Sequence, residues 1–230
     1  MVSVTGKTTT QLIVVTGFFG SGKTTFLQED LKDREGLKRV TVFNEQGQFQ
    51  VKTAGSFPGS YPLSMGSSFL QTIHSLLAYG YDYILVEASG LAQPAVLNQL
   101  ITNAEAQSGG RLQFRGMICV IDTLRFLKLI STVMLLYEQV SYADCFVLSK
   151  IDLAETTDLH TIQTTLKVMR PHVPIFIRDR PTSSFSTMLS AIPAPSIHKP
   201  SCSHDRMPEI LRYALTVPDT VGIRALPQYA

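Results

Sequence analysis

The sequence predicts an α/β fold: a mostly parallel, open sheet flanked by helices on both faces. Three observations lead to it. Six apolar runs rich in β-branched and aromatic residues recur along the chain. They are continuous rather than alternating, as strands covered on both faces are. Stretches with helical spacing separate them. The first run also leads straight into a glycine-rich stretch, Gly17 to Thr25 (GFFGSGKTT), with a helix pattern behind it.

In chain order, the strands are expected at Leu12–Thr16, Arg39–Phe43, Tyr83–Glu87, Gly116–Ile121, Ala143–Ser149 and Val173–Ile177. A helix over Thr24–Leu31 follows the glycine-rich stretch. From Ser67, the residues Phe69, Leu70, Ile73, Leu76 and Leu77 share one helix face, and Gly80 can stop that helix. Thr123 to Val140 reads as one helix with Arg125 and Lys128 toward solvent. From Thr157, the residues Leu159, Ile162, Leu166 and Met169 repeat the helical pattern until Pro171 ends it. His74 and His160 fall on these helices as surface or boundary residues. Met1 to Thr10 reads as a frayed terminus. Its Gly6-Lys7-Thr8-Thr9 repeats the letters GKTT without the earlier glycine or a strand ahead of it. Residues 1–192 are expected to form one domain. Residues 193–230 read as a linker and short tail, in which Pro193, Pro195, Pro200 and Pro208 stand among Ser and His before one last apolar element, Glu209–Val217.

The composition excludes several classes. The 230 residues are 44% hydrophobic, enough for one sizeable core. Twenty basic against 18 acidic residues leave a net charge of +2, which implies neither a nucleic-acid nor a membrane partner. The uncharged apolar run Leu129–Tyr137 is too short to span a bilayer, and the N-terminus has no apolar signal core. Cys119, Cys145 and Cys202 lie far apart; the first two sit in apolar runs and read as buried thiols of a reducing compartment. A cytoplasmic protein is expected.

The chemistry starts at Gly17. Gly17, four residues, Gly22, Lys23 and Thr24 have the spacing of a P-loop, placed between a strand and a helix as that loop requires. The fold is therefore expected to be of the P-loop NTPase kind. Backbone N–H groups from Gly17, Gly20, Ser21 and Gly22 can turn inward, and the helix adds its positive N-terminal end. Lys23 can reach the outer phosphates, the Thr24 hydroxyl can sit on Mg²⁺, and Thr25 can donate to an inner phosphate.

Three further stretches refine this. Tyr83–Val86 ends in Glu87, an oxygen ligand suited to Mg²⁺, and Gly90 can bring its N–H to the terminal phosphate and so sense it. Asn44-Glu45-Gln46-Gly47 either faces the nucleotide and an attacking water or is an ordinary turn. Ser149-Lys150-Ile151-Asp152 ends the fifth strand. A carboxylate at Asp152 can accept from guanine N1–H and the exocyclic amine together, which adenine cannot offer, and Lys150 can lay its stem along the base. Ser149 stands where guanine motifs usually have Asn. GTP is favoured over ATP.

These stretches, with Phe43-Asn44-Glu45-Gln46-Gly47, Ile84–Pro94, Val120–Phe126 and Glu138–Leu153 in this order, resemble the CobW, HypB and UreG family of GTPases, most of all its CobW branch. The resemblance implies a SIMIBI-class GTPase with slow hydrolysis that binds GTP or GDP with Mg²⁺. Such proteins often dimerise with nucleotide, and serve a client metalloenzyme or cofactor protein by handling a metal or cobalamin. Two departures stand out. Where the CobW branch carries Cys-x-Cys-Cys, this chain reads Met65-Gly66-Ser67-Ser68-Phe69. Thiolate ligation is lacking there, and Ser67 and Ser68 are placed to cap the next helix. The branch also usually continues into a substantial C-terminal domain, whereas this sequence stops soon after Tyr213.

The expectation is thus a GTPase switch: Lys23, Glu45 and Glu87 at the reaction, Gly17–Thr25 on the phosphates, Thr24 and Glu87 on Mg²⁺, and Asp152 on guanine. Either Glu45 or a residue given across a dimer holds the water. Two other readings stay open. One is a non-catalytic nucleotide-binding interaction module; the other is a metal carrier using His198, Cys202 and His204.

Overall fold

The computed structural model describes residues 9–30, 38–45, 48–53, 69–178 and 185–192. Seven strands form one sheet. They are β1 (Thr10–Thr16), β2 (Arg39–Glu45), β3 (Gln48–Thr53), β4 (Tyr83–Glu87), β5 (Leu112–Asp122), β6 (Cys145–Ser149) and β7 (Ile175–Ile177). Their order is β3-β2-β4-β1-β5-β6-β7. All neighbours are parallel except β2 and β3. β1 is central, with β4 on one side and β5 on the other, so the chain changes direction across the sheet at the carboxyl end of β1. Parallel sheets bind ligands at such a switch point.

Alternation along the strands builds two layers of core. On one face Leu12, Val14, Ile84, Val86 and Met117 meet α2 (Phe69–Leu77) and α3 (Pro94–Gln107). That layer continues through Cys119, Ile121, Phe146 and Leu148 under α4 (Phe126–Leu129), α5 (Met134–Tyr142) and α6 (Thr156–Met169). On the opposite face Ile13, Val15, Leu85, Ile118, Val120 and Val147 meet α1 (Lys23–Asp30) and α7 (Phe185–Ala191). Burial of both faces explains why the strands read as unbroken apolar runs. The expected class, a mostly parallel α/β sheet with helices on both faces, is the observed one.

The differences are local. β3, α3 and α7 are additional to the expected elements. β3 is an antiparallel edge strand whose register pairs Glu45 with Gln48, so β2 runs on through Asn44 and Glu45. β5 begins earlier than expected, at Leu112. The single helix expected over Thr123–Val140 is two, α4 and α5, with Ile130, Ser131, Thr132 and Val133 between them. Val133 is extended (φ −104°, ψ 97°) and its carbonyl accepts the N–H groups of Leu136 and Tyr137. The break is confined to one turn. The Ile130 N–H still donates to the Phe126 carbonyl and the Val133 N–H to that of Leu129, and at Val133 the backbone leaves the helical region. β-branched Thr132 and Val133 yield more easily than straight-chain residues.

Cys119 and Cys145 are buried free thiols, as expected. His160 is exposed and His74 half-buried. Among the described residues no helix is long and apolar enough to cross a membrane. The readings of Gly6–Thr8, Gln46-Gly47, Met65–Ser68 and the 193–230 tail with His198, Cys202 and His204 lie outside the described residues.

The break makes Met134 the first residue of a helix, where an amide has no intrahelical acceptor. Met134→Pro should therefore lower the unfolding free energy by about 1 kcal/mol or less in a urea titration. Proline inside a continuous helix costs about 3 kcal/mol.

Candidate nucleotide site

Gly17 starts the loop after β1 at φ 141°, and a Cβ there would lie 2.4 Å from the Val120 carbonyl oxygen of β5. Only glycine lets the chain turn this close to the neighbouring strand. The Ser21 N–H donates to the Phe18 carbonyl, and the Phe26 N–H to that of Gly22, closing the loop onto α1. Lys23 is the first residue of α1. Its ammonium is buried and folded over the loop, donating to the carbonyls of Gly17 (2.9 Å) and Phe18 (3.3 Å). Burial lowers its pKa, against the pull of the Glu87 carboxylate. The hydroxyls of Thr16 and Ser21 are buried with no hydrogen-bond partner among the described residues. Unsatisfied donors around a lysine at a helix start fit an anionic ligand.

Thr24 Oγ1 donates to Glu87 Oε1 at 2.6 Å. A hydroxyl and a carboxylate brought together beside this loop are hard oxygen donors, and they fit Mg²⁺. Among the described residues no group of three or more His, Cys, Asp and Glu could hold a metal ion. Thr25 is exposed in the first turn of α1, and its carbonyl accepts from Arg178 Nη2 (3.3 Å). Gly90 follows β4 and lies against the loop: a Cβ there would be 2.7 Å from both Cα and N of Phe19.

The loop tip is held from the other side by a charged cluster. Asp122, at the end of β5, is buried; its Oδ2 accepts from Lys150 Nζ (2.7 Å) and Arg125 Nε (2.8 Å). Both cations also reach the Gly20 carbonyl, at 2.8 Å and 3.3 Å. Burial raises the Asp122 carboxyl pKa, but the hydrogen bonds from Lys150 and Arg125 outweigh it and hold it below the ordinary value. Lys150 has a left-handed backbone (φ 59°), and its carbonyl accepts from the Thr123 hydroxyl at 3.1 Å. The Ser149 hydroxyl is buried between the carbonyls of Ser21 (2.7 Å) and Ile121 (3.0 Å), so it ties β6 to the loop. Asp152 is exposed on the 3-10 turn Ile151–Leu153.

The fold thus brings Gly17–Thr25, Glu87 and Gly90 together, with Ser149 and Lys150 at the other flank of the loop. Glu45 ends β2 at the same, carboxyl edge of the sheet. Sequence reasoning missed Asp122, Thr123 and Arg178. Arg125 is correctly expected to be exposed, yet it is also an ion pair holding the loop. The signal for Asp122 was an acid closing a strand beside the loop. Arg178, stacked 5.6 Å over the Phe26 ring, left none.

Asp122→Asn removes the negative charge shared by Lys150 and Arg125 and one of the two accepting oxygens. A carboxylate with a depressed folded pKa stabilises above its unfolded value, about 3.9, and loses that contribution as pH falls through the folded pKa. Urea titrations should show wild type losing stability below about pH 4 more steeply than Asp122→Asn. At pH 7 the variant should be less stable by about 1.5–3 kcal/mol.

The sequence model of the family described as CobW/HypB/UreG, nucleotide-binding domain, matches residues 11–177. The zinc-regulated GTPase metalloprotein activator 1 of Schizosaccharomyces pombe is 26% identical over 180 residues, covering 67% of this chain and 42% of its own length. The zinc chaperone YjiA of Escherichia coli is 27% identical over 164 residues, 64% of this chain and 51% of its own. The chain therefore spans about half the length of these curated relatives. A crystal structure of Zn(II)-bound YjiA GTPase superposes with a TM-score of 0.60 at 18% identity, over 84% of this chain and 66% of that one, a likeness of fold. With strand order, loop and model match in agreement over most of its length, the chain belongs to the CobW/HypB/UreG family of nucleotide-binding domains.

Proposed function

We propose that the chain is a guanine-nucleotide switch with slow GTP hydrolysis, acting in the cytoplasm in delivery of a metal or cobalamin-type cofactor to a client enzyme, or in that client's activation. The observation that carries the reading is the 2.6 Å contact of Thr24 and Glu87 beside the buried Lys23 ammonium, at the mouth of a loop with unsatisfied hydroxyls. Family membership supports the client role, as do one relative named a zinc-regulated GTPase metalloprotein activator and another named a zinc chaperone.

In this reading the amides of Gly17–Thr25 and the Lys23 ammonium hold the phosphates. Lys23 leaves its present carbonyl partners for phosphate oxygens, a stronger charge-assisted exchange. Thr24 and Glu87 hold Mg²⁺, which when bound neutralises charge on the outer phosphate oxygens. The Gly90 N–H meets the terminal phosphate. Lys150, strung between β6 and Gly20, offers its stem to the base, and Asp152 accepts from guanine. The attacking water is held by Glu45 or by a residue from a second copy. Catalysis is then chiefly positioning and charge stabilisation.

A nucleotide-dependent homodimer is part of the proposal. Phe19 is 70% exposed in the loop and Leu91 66% exposed beside Gly90. Large apolar side chains at phosphate-sensing positions suit an interface made only in one nucleotide state.

Calorimetry with GDP and a non-hydrolysable GTP analogue, run beside the adenine pair, tests the nucleotide reading. Guanine nucleotides should bind selectively, and Lys23→Ala should weaken them by about 10- to 150-fold, the worth of charge-assisted hydrogen bonds. Equal binding of adenine nucleotides would sink the guanine assignment, and binding without turnover would leave a non-catalytic interaction module. Sedimentation should show a dimer with the analogue and a monomer with GDP, and the pair Phe19→Ser and Leu91→Ser should weaken the dimer by at least about 10-fold.

A further inference from the structure

Gln139 is a buried polar residue on α5 that the site so far does not use. It is fully buried, between Leu136 and Val140 of the core. Its Nε2 donates to the Gly90 carbonyl oxygen at 3.1 Å, while its Oε1 has no hydrogen-bond partner among the described residues. Packing alone favours leucine or methionine here, since either fills the space without a buried, half-satisfied amide. What the amide does is hold Gly90.

Gly90 is gripped from two sides, by the Phe19 backbone against its Cα and by Gln139 on its carbonyl. Beyond it, the Leu91 N–H donates to Ser89 Oγ at 3.3 Å and the Ala92 N–H to the Ser89 carbonyl at 2.9 Å, a tight turn that leads into α3 at Pro94. With the carbonyl of Gly90 fixed and the turn after it closed, little rotation is left to the peptide before it, which carries the Gly90 N–H. We infer that Gln139 is a positioning residue: it sets Gly90 so that its N–H meets the terminal phosphate, and thereby makes the chain favour triphosphate over diphosphate. This rests on the reading of Gly90 as the phosphate sensor.

The test is the affinity of Gln139→Met and Gln139→Leu for GDP and for a non-hydrolysable GTP analogue, with Gly90→Ala alongside. Both Gln139 variants should lose about 3- to 10-fold for the analogue, the net worth of one hydrogen bond, with GDP affinity within about twofold of wild type. An unchanged analogue-to-GDP ratio, with Gly90→Ala still destroying it, would overturn the role of Gln139 and leave Gly90 as the sensor. An equal loss for both nucleotides, with a lower melting temperature, would reduce Gln139 to a packing residue and overturn it too. Insensitivity of the ratio to Gly90→Ala would remove the sensor and this inference with it. Should the Gln139 variants fail to fold, exchange of the Gln139 side-chain amide protons in the unmodified chain decides: slower with the analogue than with GDP supports the role, and equal rates overturn it.

Discussion

Two cations, Lys150 and Arg125, share one buried carboxylate, Asp122, and both reach the carbonyl of Gly20. This cluster fastens the glycine-rich loop to the ends of β5 and β6, and the Ser149 hydroxyl adds a third tie at Ser21. A loop rich in glycine loses much backbone entropy on ordering. A phosphate-binding loop must nevertheless be ordered before its ligand arrives, or part of the binding energy is lost to ordering it. The charged cluster removes that difficulty, and it does so with side chains at and just beyond the ends of β5 and β6, far from the loop in sequence.

The other flank of the loop is held without a charged cluster. Glu87 and Gly90 come from β4 and the turn after it. Thr24 donates to Glu87, a Cβ on Gly90 would meet the Phe19 backbone, and Gln139 of α5 donates to the Gly90 carbonyl. In the proposed switch this is the flank that meets the last phosphate, and the exposed Phe19 and Leu91 stand beside it.

Much of this was legible in order along the chain. The spacing of Gly17, Gly22, Lys23 and Thr24 carries its own geometry, because a strand, a tight loop and a helix start are all local. The same holds for Glu87 and Gly90, which close a strand whose apolar run is continuous. The break between α4 and α5 was not legible, since Phe126, Ile130, Leu136 and Val140 keep helical spacing across it and fall on one apolar stripe. Nor was β3, an edge strand whose short alternation carries a weaker signal than a buried run.

The sequence by itself determined the fold class and the strand-loop-helix at Gly17, because periodicity and glycine spacing are local properties. Only the tertiary structure decided the second role of Arg125, the cluster at Asp122, the place of Ser149 under the loop and the grip of Gln139 on Gly90. Those contacts join residues on different strands and helices, up to 130 positions apart in the case of Lys150 and Gly20. The physical reason is that hydrogen bonds across a parallel sheet's end are set by strand order and register. No stretch of chain encodes strand order alone.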